Sequence, residues 1–213
     1  MSWLDILFPP TCVSCEAPGS WVCSDCLGRI GFFHHAVQAP PSVAACLACG
    51  SYADPVLRSA VTSFKYRSAR CLTSAWEEIL KRYRSAYADP WPWAGLDRLS
   101  IESVPADPKR ARKRGMDHAA LLADLVRDQL VPWADRSHVL AREKSIPQNA
   151  NLPPDAARAA NVRGAFSVTG TVDAPVLLVD DVMTTGATAS EAARVLLDAG
   201  APMVYLFVVA RGS

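Results

Sequence analysis

Two adjacent carboxylates, Asp180 and Asp181, follow an apolar run and precede a turn of small and hydroxylated residues. The run at 176–179 has the length of a strand that is buried on both faces. The turn at 184–188 leads into a helical pattern, so its backbone N–H groups and the helix N-terminus would converge on an anion. Gly186 would let the backbone approach a phosphate closely. This order of residues predicts a phosphate site with two carboxylates at its edge.

The two carboxylates stand before the turn and are poorly placed to touch the phosphate itself. They suit neutral hydroxyl groups one sugar away, or a hard cation such as Mg²⁺. The predicted ligand is therefore a ribose 5-phosphate with free 2- and 3-hydroxyls. Residues 176–188 resemble the phosphoribosyl pyrophosphate (PRPP) motif of type I phosphoribosyltransferases, which has four apolar residues, two acids and a TTGAT-like loop. The resemblance implies that Asp180 and Asp181 hold the ribose hydroxyls of PRPP and help to set Mg²⁺. The implied phosphate-binding residues are Met183, Thr184, Thr185, Gly186, Ala187 and Thr188.

The composition is that of a globular protein of moderate size. The chain has 213 residues, half of them apolar, and a net charge of +1. That size allows one medium domain and a small module, and the charge gives no overall attraction to nucleic acid or membrane. No apolar run approaches the ~20 residues that span a bilayer, and the start lacks the basic region of a signal peptide. We therefore expect a cytoplasmic protein without membrane insertion, whose cysteines are reduced.

Six of the seven cysteines form three CxxC pairs near the start of the chain. In a reducing compartment such pairs are more typical of metal ligands than of disulfides. Two CxxC turns complete a tetrahedral S₄ site for Zn²⁺, and so small a module would depend on the metal for its folding. The first two pairs are close together, with Pro18 and Gly19 between them, and form the preferred site. Its predicted ligands are Cys12, Cys15, Cys23 and Cys26.

The third pair, Cys46 and Cys49, has no fourth pair to join. It either replaces Cys23 and Cys26 at the zinc site or is the remnant of a second site. The predicted parts of the chain are a Cys-rich zinc-binding module (1–50), a helical connector (51–95) and an α/β domain (96–213).

Strand patterns alternate with helical patterns between residues 99 and 210. That order predicts a doubly wound, mostly parallel sheet with helices on both faces. Ligands of such sheets bind beyond the carboxyl ends of the strands, so groups that follow strand ends share one crevice. The predicted strands are 99–104, 137–142, 165–168, 176–179 and 203–210.

A basic run follows the strand predicted at 99–104 and precedes a helical pattern. Such a loop suits a second phosphate group, although the same run would also hold a nucleic-acid backbone or form the solvated face of a helix. Beside a PRPP-like motif, we favour the pyrophosphate. The run consists of Lys109, Arg110, Arg112, Lys113 and Arg114.

Two other segments contain polar candidates. The sequence FKYR at 64–67 is either a ligand-binding cluster that includes Lys65 or a helix end with a solvated basic face. Residues 143–164 have no periodicity, and so long a loop in a compact domain is usually functional or mobile. Its candidates are Lys144, Gln148, Arg158, Asn161 and Arg163.

The order of these motifs resembles the ComF family over nearly the whole chain. The shared features are the CxxC pairs, FKYR, the basic run followed by RG, Gln148, the sequence NVRGAF and the PRPP-like loop. The resemblance implies a type I phosphoribosyltransferase-like fold, a flap at 143–164, and transfer of ribosyl 5-phosphate to an acceptor. Asp117 and His118 are substrate candidates because family members usually have an amide pair there.

The same resemblance implies a second hypothesis, because ComF relatives are implicated in natural transformation. A non-catalytic protein would handle single-stranded DNA together with competence or recombination proteins. The basic run would then bind the DNA backbone and aromatic side chains would stack on bases. The aromatic candidates are Phe64, Tyr66, Trp91 and Trp93.

Overall fold

The computed structural model describes residues 10–66, 72–107, 117–143 and 162–212, with Tyr66 described by its backbone alone. None of the helices in these ranges has both the length and the apolar character that a membrane span requires. The helices are α1 (Ser24–Arg29), α2 (Pro55–Tyr66), α3 (Thr73–Ala86), α4 (His118–Leu130) and α5 (Ala187–Asp198). The strands are β1 (Cys46–Ser51), β2 (Ser100–Ser103), β3 (Asp135–Arg136), β4 (Leu140–Arg142), β5 (Phe166–Val168), β6 (Val176–Met183) and β7 (Val204–Arg211).

Five strands form one parallel sheet in the order β1-β7-β6-β2-β3. The central strand β6 pairs with β7 from Val176↔Val204 onward and with β2 from Ser100↔Val176 onward. Both β6 and β7 are almost continuously apolar, as strands buried on both faces are. Because all pairs are parallel, the carboxyl ends of the strands meet at one edge of the sheet.

Helices cover both faces of this sheet. Helices α2, α3 and α4 pack on the face to which Leu177 and Val179 point. Helix α5 and the strands β4 and β5 pack on the opposite face, against Val176 and Leu178. This division follows the two-residue alternation of side chains along a strand. The predicted doubly wound α/β fold is confirmed.

The order of elements in the sequence predicts that β4 and β5 belong to the parallel sheet. In the structure they lie outside it. They pair with each other in antiparallel fashion, with Leu140 opposite Val168. Leu140 and Phe166 pack into the apolar cluster on the α5 side. Each strand has only three residues, and their apolar side chains are buried by that cluster and not by neighbours in the sheet.

Strand β1 belongs to the main sheet, so the predicted module boundary at residue 50 falls inside a strand. Its first residue, Cys46, pairs with Leu206 of β7. The predicted connector at 51–95 forms a layer of the domain, because α2, α3 and Trp93 bury apolar side chains against the sheet. The cysteine-rich part that precedes β1 also contributes Cys12, Cys26 and other residues to that core.

Candidate functional site at the carboxyl edge of the sheet

The acid pair lies within β6, which continues past its predicted end at Val179 to Met183. Asp181 faces α2, and its Oδ2 lies 2.8 Å from Nζ of Lys65 in the last turn of that helix. The two side chains are 26% and 22% exposed, so the ion pair is reachable by a ligand. Asp180 accepts a hydrogen bond of 2.8 Å from the N–H of Asp181.

The electrostatic environment of Asp180 is unusual for a carboxylate. Burial, and then the charge of Asp181, raises the pKa of Asp180 to about 7. The Asp181 N–H and the positive charges of Lys65 and Arg142 oppose this effect. The carboxyl therefore changes its charge near neutral pH. Perturbed carboxyls of this kind are concentrated at functional sites.

The turn after β6 leads directly into α5. Gly186 is the N-cap of the helix and has a left-handed backbone, with φ 76° and ψ 2°. The N-cap Gly186 has no side chain to cap this N-terminus, and the N–H of Ala187 makes only a long hydrogen bond of 3.5 Å to Oγ1 of Thr185, so the first turn can present backbone N–H groups to an anion. The side chains of Thr184 and Thr185 are exposed beside it. The predicted order of strand, turn and helix is thus present, with the turn at the carboxyl edge of the sheet.

Gly186 is required for a second reason besides its backbone angles. A Cβ at this position would lie 2.6 Å from the Cβ of Pro40, which covers the turn. Any larger residue would push the turn and the segment around Pro40 apart.

Met183 contributes to the turn through its backbone. Its side chain is 5% exposed, and its Sδ lies 4.0 Å from Sγ of Cys46 in the core. Its carbonyl oxygen accepts a hydrogen bond of 2.8 Å from the N–H of Gly212. The sequence grouped Met183 with the phosphate-binding residues, whereas the structure directs its side chain inward.

The exit of β2 lies next to the acid pair. Ser103 is in register with Val179, and the N–H of Val104 donates to the Val179 carbonyl oxygen over 2.9 Å. The basic run begins a few residues further on, so it starts from the strand adjacent to β6. The run itself and four candidates of the loop after β4 lie outside the described residues. These are Lys109, Arg110, Arg112, Lys113, Arg114, Lys144, Gln148, Arg158 and Asn161.

Lys65 resolves the two interpretations of FKYR in part. It pairs with Asp181 and so belongs to the site, although 116 positions separate the two residues in the sequence. The neighbouring Phe64 is 2% exposed and contacts the Trp76 ring edge-on at 5.5 Å between centroids. In this cluster, Lys65 thus pairs with Asp181, and Phe64 before it packs in the core.

Asp117 and His118 have roles in the fold. Asp117 is the N-cap of α4, and its Oδ1 accepts hydrogen bonds from the N–H groups of Ala119 and Ala120 at 3.1 and 3.0 Å. His118 is 8% exposed and lies edge-on to the ring of Phe64. The position of Asp117 just before a helical pattern is a capping signal that sequence reasoning could have used.

The aromatic residues predicted to stack on DNA bases are packed into the protein. Phe64 and Trp93 are each 2% exposed. Trp91 stacks on Trp93 at 5.3 Å between ring centroids and packs against the same core. Phe64 and Trp93 are too buried to stack on a base, so that interpretation is wrong for these two residues. Trp91 is partly exposed, and for it stacking stays a prediction. The Tyr66 side chain lies outside the described atoms.

Arg142 is a site residue that the sequence did not single out. It ends β4, and its Cζ lies 5.3 Å from the ring centroid of Phe166. Its Nη1 lies 3.5 Å from the carbonyl oxygen of Pro105, which follows β2 at the carboxyl edge. Its charge also acts on Asp180. The antiparallel pairing of β4 and β5 places Arg142 here, and no local sequence pattern predicts that pairing.

Glu191 anchors the NVRGAF segment to α5. Its Oε1 accepts a hydrogen bond of 2.7 Å from the N–H of Gly164, and Arg194 donates to both of its carboxylate oxygens. The hydrogen bonds from Arg194 are the main reason that the pKa of Glu191 is lowered. Glu191 therefore joins the end of the 143–164 loop to the helix that begins at the phosphate turn.

The first two CxxC pairs form a second candidate site, a metal centre. The four Sγ atoms of Cys12, Cys15, Cys23 and Cys26 all lie within 4.8 Å of one another. A tetrahedral site with Zn–S bonds of ~2.3 Å needs sulfurs ~3.8 Å apart, and Sγ of Cys15 lies 3.6 Å from Sγ of Cys23. The donor set and its spacing fit Zn²⁺.

Backbone N–H groups support thiolates at this centre. The N–H of Cys23 donates to Sγ of Cys12, and the N–H of Cys26 to Sγ of Cys23, each over 3.5 Å. Burial opposes ionisation of Cys12, but the N–H groups of Cys23, Cys15 and Ser14 outweigh it and lower the pKa of its thiol to about 6. Burial and the neighbouring thiols raise the pKa of Cys26 to about 12.

Cys46 and Cys49 do not belong to this centre, which corrects the prediction for the third CxxC pair. Both are 0% exposed within β1. Residues three apart in a strand point to opposite faces, and the two thiols lie in the two different apolar clusters. They therefore cannot share a metal ion, and burial raises the pKa of both thiols.

Comparison with known proteins gives little beyond this geometry. Neither a protein-family model nor a curated protein sequence matches the chain. Among solved structures, the chain is similar to the glutamine PRPP amidotransferase from B. subtilis complexed with ADP and GMP, with 18% sequence identity and a TM-score of 0.42. The likeness covers 70% of this chain and 30% of that chain, so the chain spans less than a third of that protein. At this identity and TM-score it assigns no activity to the chain.

Proposed function

We propose that the chain is a PRPP-binding, phosphoribosyltransferase-like protein of the ComF type. The observation that carries the proposal is the arrangement in β6 and α5. An acid pair, a turn with a left-handed Gly186 and the N-terminus of α5 follow one another at the carboxyl edge of a parallel sheet. This edge is where ligands of doubly wound sheets bind.

The site offers different chemistry to each part of PRPP. The turn and the first N–H groups of α5 suit the 5-phosphate. The acid pair suits the two ribose hydroxyls, which donate hydrogen bonds to carboxylate oxygens. The diphosphate would extend toward the exit of β2, where Arg142 lies and from which the basic run continues. Lys65 keeps Asp181 in place and balances its charge.

The reaction that this arrangement supports is transfer of ribosyl 5-phosphate. The bond between C1 of ribose and the diphosphate oxygen breaks, and the diphosphate leaves with the electron pair. An acceptor forms a new bond to C1 and loses a proton. The acid pair orients the sugar, and carboxylate oxygens of this kind are ligands that Mg²⁺ prefers. Mg²⁺ bound with PRPP would neutralise the charge of the leaving diphosphate.

The proposal is tested by ligand-induced stabilisation of the purified chain. We expect PRPP with Mg²⁺ to raise the unfolding temperature strongly, because a ligand that binds only the folded state stabilises it. A single-stranded oligonucleotide serves as the competing ligand. Stabilisation by the oligonucleotide and none by PRPP would favour the DNA-handling hypothesis and overturn this one.

A further inference from the structure

Arg211, the last residue of β7, lies at the carboxyl edge of the sheet beside the phosphate turn. Its Cα is in register with Met183, where β6 ends. The next residue, Gly212, donates a hydrogen bond of 2.8 Å to the Met183 carbonyl oxygen. A Cβ at position 212 would lie 3.0 Å from Cγ2 of Thr184. The end of β7 is therefore packed directly against the turn between β6 and α5.

The guanidinium of Arg211 is fixed by a segment that crosses the same edge. Its Nη1 donates to the carbonyl oxygen of Gln38 over 3.0 Å. Two residues further on, Pro40 covers Gly186. The guanidinium is therefore held by the segment that covers the phosphate turn.

Arg211 is a partly buried cation with unused hydrogen-bond donors. A guanidinium has five N–H donors, and the contact with Gln38 uses one of them. Within the described ranges, no carboxylate oxygen lies within 4.0 Å of its nitrogens. A guanidinium with free N–H donors beside a phosphate turn is suited to bind an anionic ligand through charge-assisted hydrogen bonds.

We propose that Arg211 contacts the ligand and binds its 5-phosphate, an inference that rests on the proposed function. Strands β7 and β2 flank β6 on opposite sides. The diphosphate belongs to the β2 side, whereas Arg211 and the phosphate turn lie together on the β7 side. The guanidinium adds charge-assisted hydrogen bonds to those of the backbone N–H groups. PRPP and ribose 5-phosphate both carry the 5-phosphate, so Arg211 should contribute equally to the affinity for either ligand.

Calorimetric titration of the full chain with ribose 5-phosphate and with Mg²⁺–PRPP tests this role. Arg211→Gln removes the charge, and we expect the affinity for both ligands to fall by the same factor, at least about tenfold. Arg98→Gln is the matched control. Arg98 is exposed, pairs with Asp173 and precedes the amino end of β2, far from the phosphate turn. Its two affinities should stay within about twofold of the unaltered chain.

The outcomes separate this inference from the proposed function. If the unaltered chain binds neither ligand, the proposed function fails and the inference falls with it. If the unaltered chain binds both and Arg211→Gln binds them equally well, only the inference is overturned. A loss confined to PRPP would assign Arg211 to the diphosphate and also overturn it.

A second variant guards against a folding defect. Arg211→Met keeps the aliphatic stem and its packing, and we expect the same loss of affinity with a thermal unfolding curve close to that of the unaltered chain. Failure of both variants to fold would mean that Arg211 serves the fold, which contradicts the proposal.

Discussion

The chemistry of the site depends on how a few side chains share charge. Asp180 and Asp181 are adjacent carboxylates; Lys65 of α2 pairs with Asp181, and the charge of Arg142 of β4 acts on Asp180 from the other face of the sheet. The two cations bring the local charge close to balance. A neutral sugar hydroxyl can then bind to the acids without a large electrostatic penalty.

Asp180 should make the stability of the protein depend on pH. Its pKa is raised to about 7 when the protein is folded, chiefly by burial and by Asp181, from an ordinary value of 3.8. Between these values the folded state holds a proton that the unfolded state has lost. The free energy of unfolding should therefore fall as pH rises through this window, by at most about 1.4 kcal/mol per pH unit from this group.

Denaturant unfolding at pH 5 and pH 7 measures this effect. Asp180→Asn cannot ionise, so its loss of stability between the two pH values should be smaller than that of the unaltered chain. Asp173→Asn, at an exposed carboxylate paired with Arg98, is the control and should behave like the unaltered chain. An equal pH dependence in the unaltered chain and in Asp180→Asn would show that Asp180 does not hold the proton.

Sequence reasoning found the residues of the site that are consecutive and missed those that are distant. Asp180, Asp181 and Gly186 are recognisable because one strand–turn–helix determines their geometry. The sequence left open whether Lys65 binds a ligand or lies on a solvated helix face, because its contact with Asp181 depends on how α2 packs. Arg142 was missed because the antiparallel β4–β5 pair directs it toward the edge of the sheet.

At the scale of elements, β2 and β6 are adjacent and parallel, so whatever follows β2 begins near the acid pair. We expect neutralisation of the basic run 109–114 to weaken PRPP binding much more than ribose 5-phosphate binding. The reason is that only PRPP carries a second anion. Calorimetric titration with both ligands measures the difference, and a loss of oligonucleotide binding with unchanged PRPP affinity would assign the run to nucleic acid.

The connection between α5 and the NVRGAF segment predicts an asymmetry between two partners of Arg194. Glu191 is largely buried and also binds the N–H of Gly164, whereas Asp198 is exposed. Glu191→Ala should destabilise the chain by about 2 kcal/mol, because it removes the hydrogen bonds that the Gly164 N–H and Arg194 donate to a charged acceptor. Asp198→Ala should cost less than about 1 kcal/mol. Denaturant unfolding compares the two variants, and equal costs would contradict the anchoring role of Glu191.

The order of elements was predictable where hydrophobic periodicity was strong, as in β6, α4 and α5. Membership of the sheet was harder to predict. The CxxC pattern of Cys46 and Cys49 suggested metal ligands, although these cysteines belong to a buried strand. The apolar neighbours Leu47 and Ala48 were the signal for that strand. Two short strands, β4 and β5, pair with each other, and local propensity does not specify a partner.

At the scale of the whole molecule, the candidate metal centre lies in the segment whose helix α1 packs against α2. We expect about one Zn²⁺ per chain by metal analysis, because four thiols converge at tetrahedral spacing. Cys23→Ser should lose the metal. Cys46→Ala is the control and should retain it, because Cys46 lies in the sheet core.

Chelation should unfold the cysteine-rich segment before the α/β domain. Hydrogen exchange followed by mass spectrometry would show early loss of protection around α1. Folded protein that contains no metal would contradict this assignment, as would zinc loss in Cys46→Ala.

The central claim is that the carboxyl edge of β6 binds the ribosyl 5-phosphate group of PRPP through its acid pair. Calorimetric titration of Mg²⁺–PRPP into the unaltered chain and into the double variant Asp180→Asn/Asp181→Asn tests it most directly. We predict saturable binding to the unaltered chain and loss of binding in the double variant, with the fold retained because Asn has nearly the size and shape of Asp. The same PRPP affinity in both proteins would contradict the account.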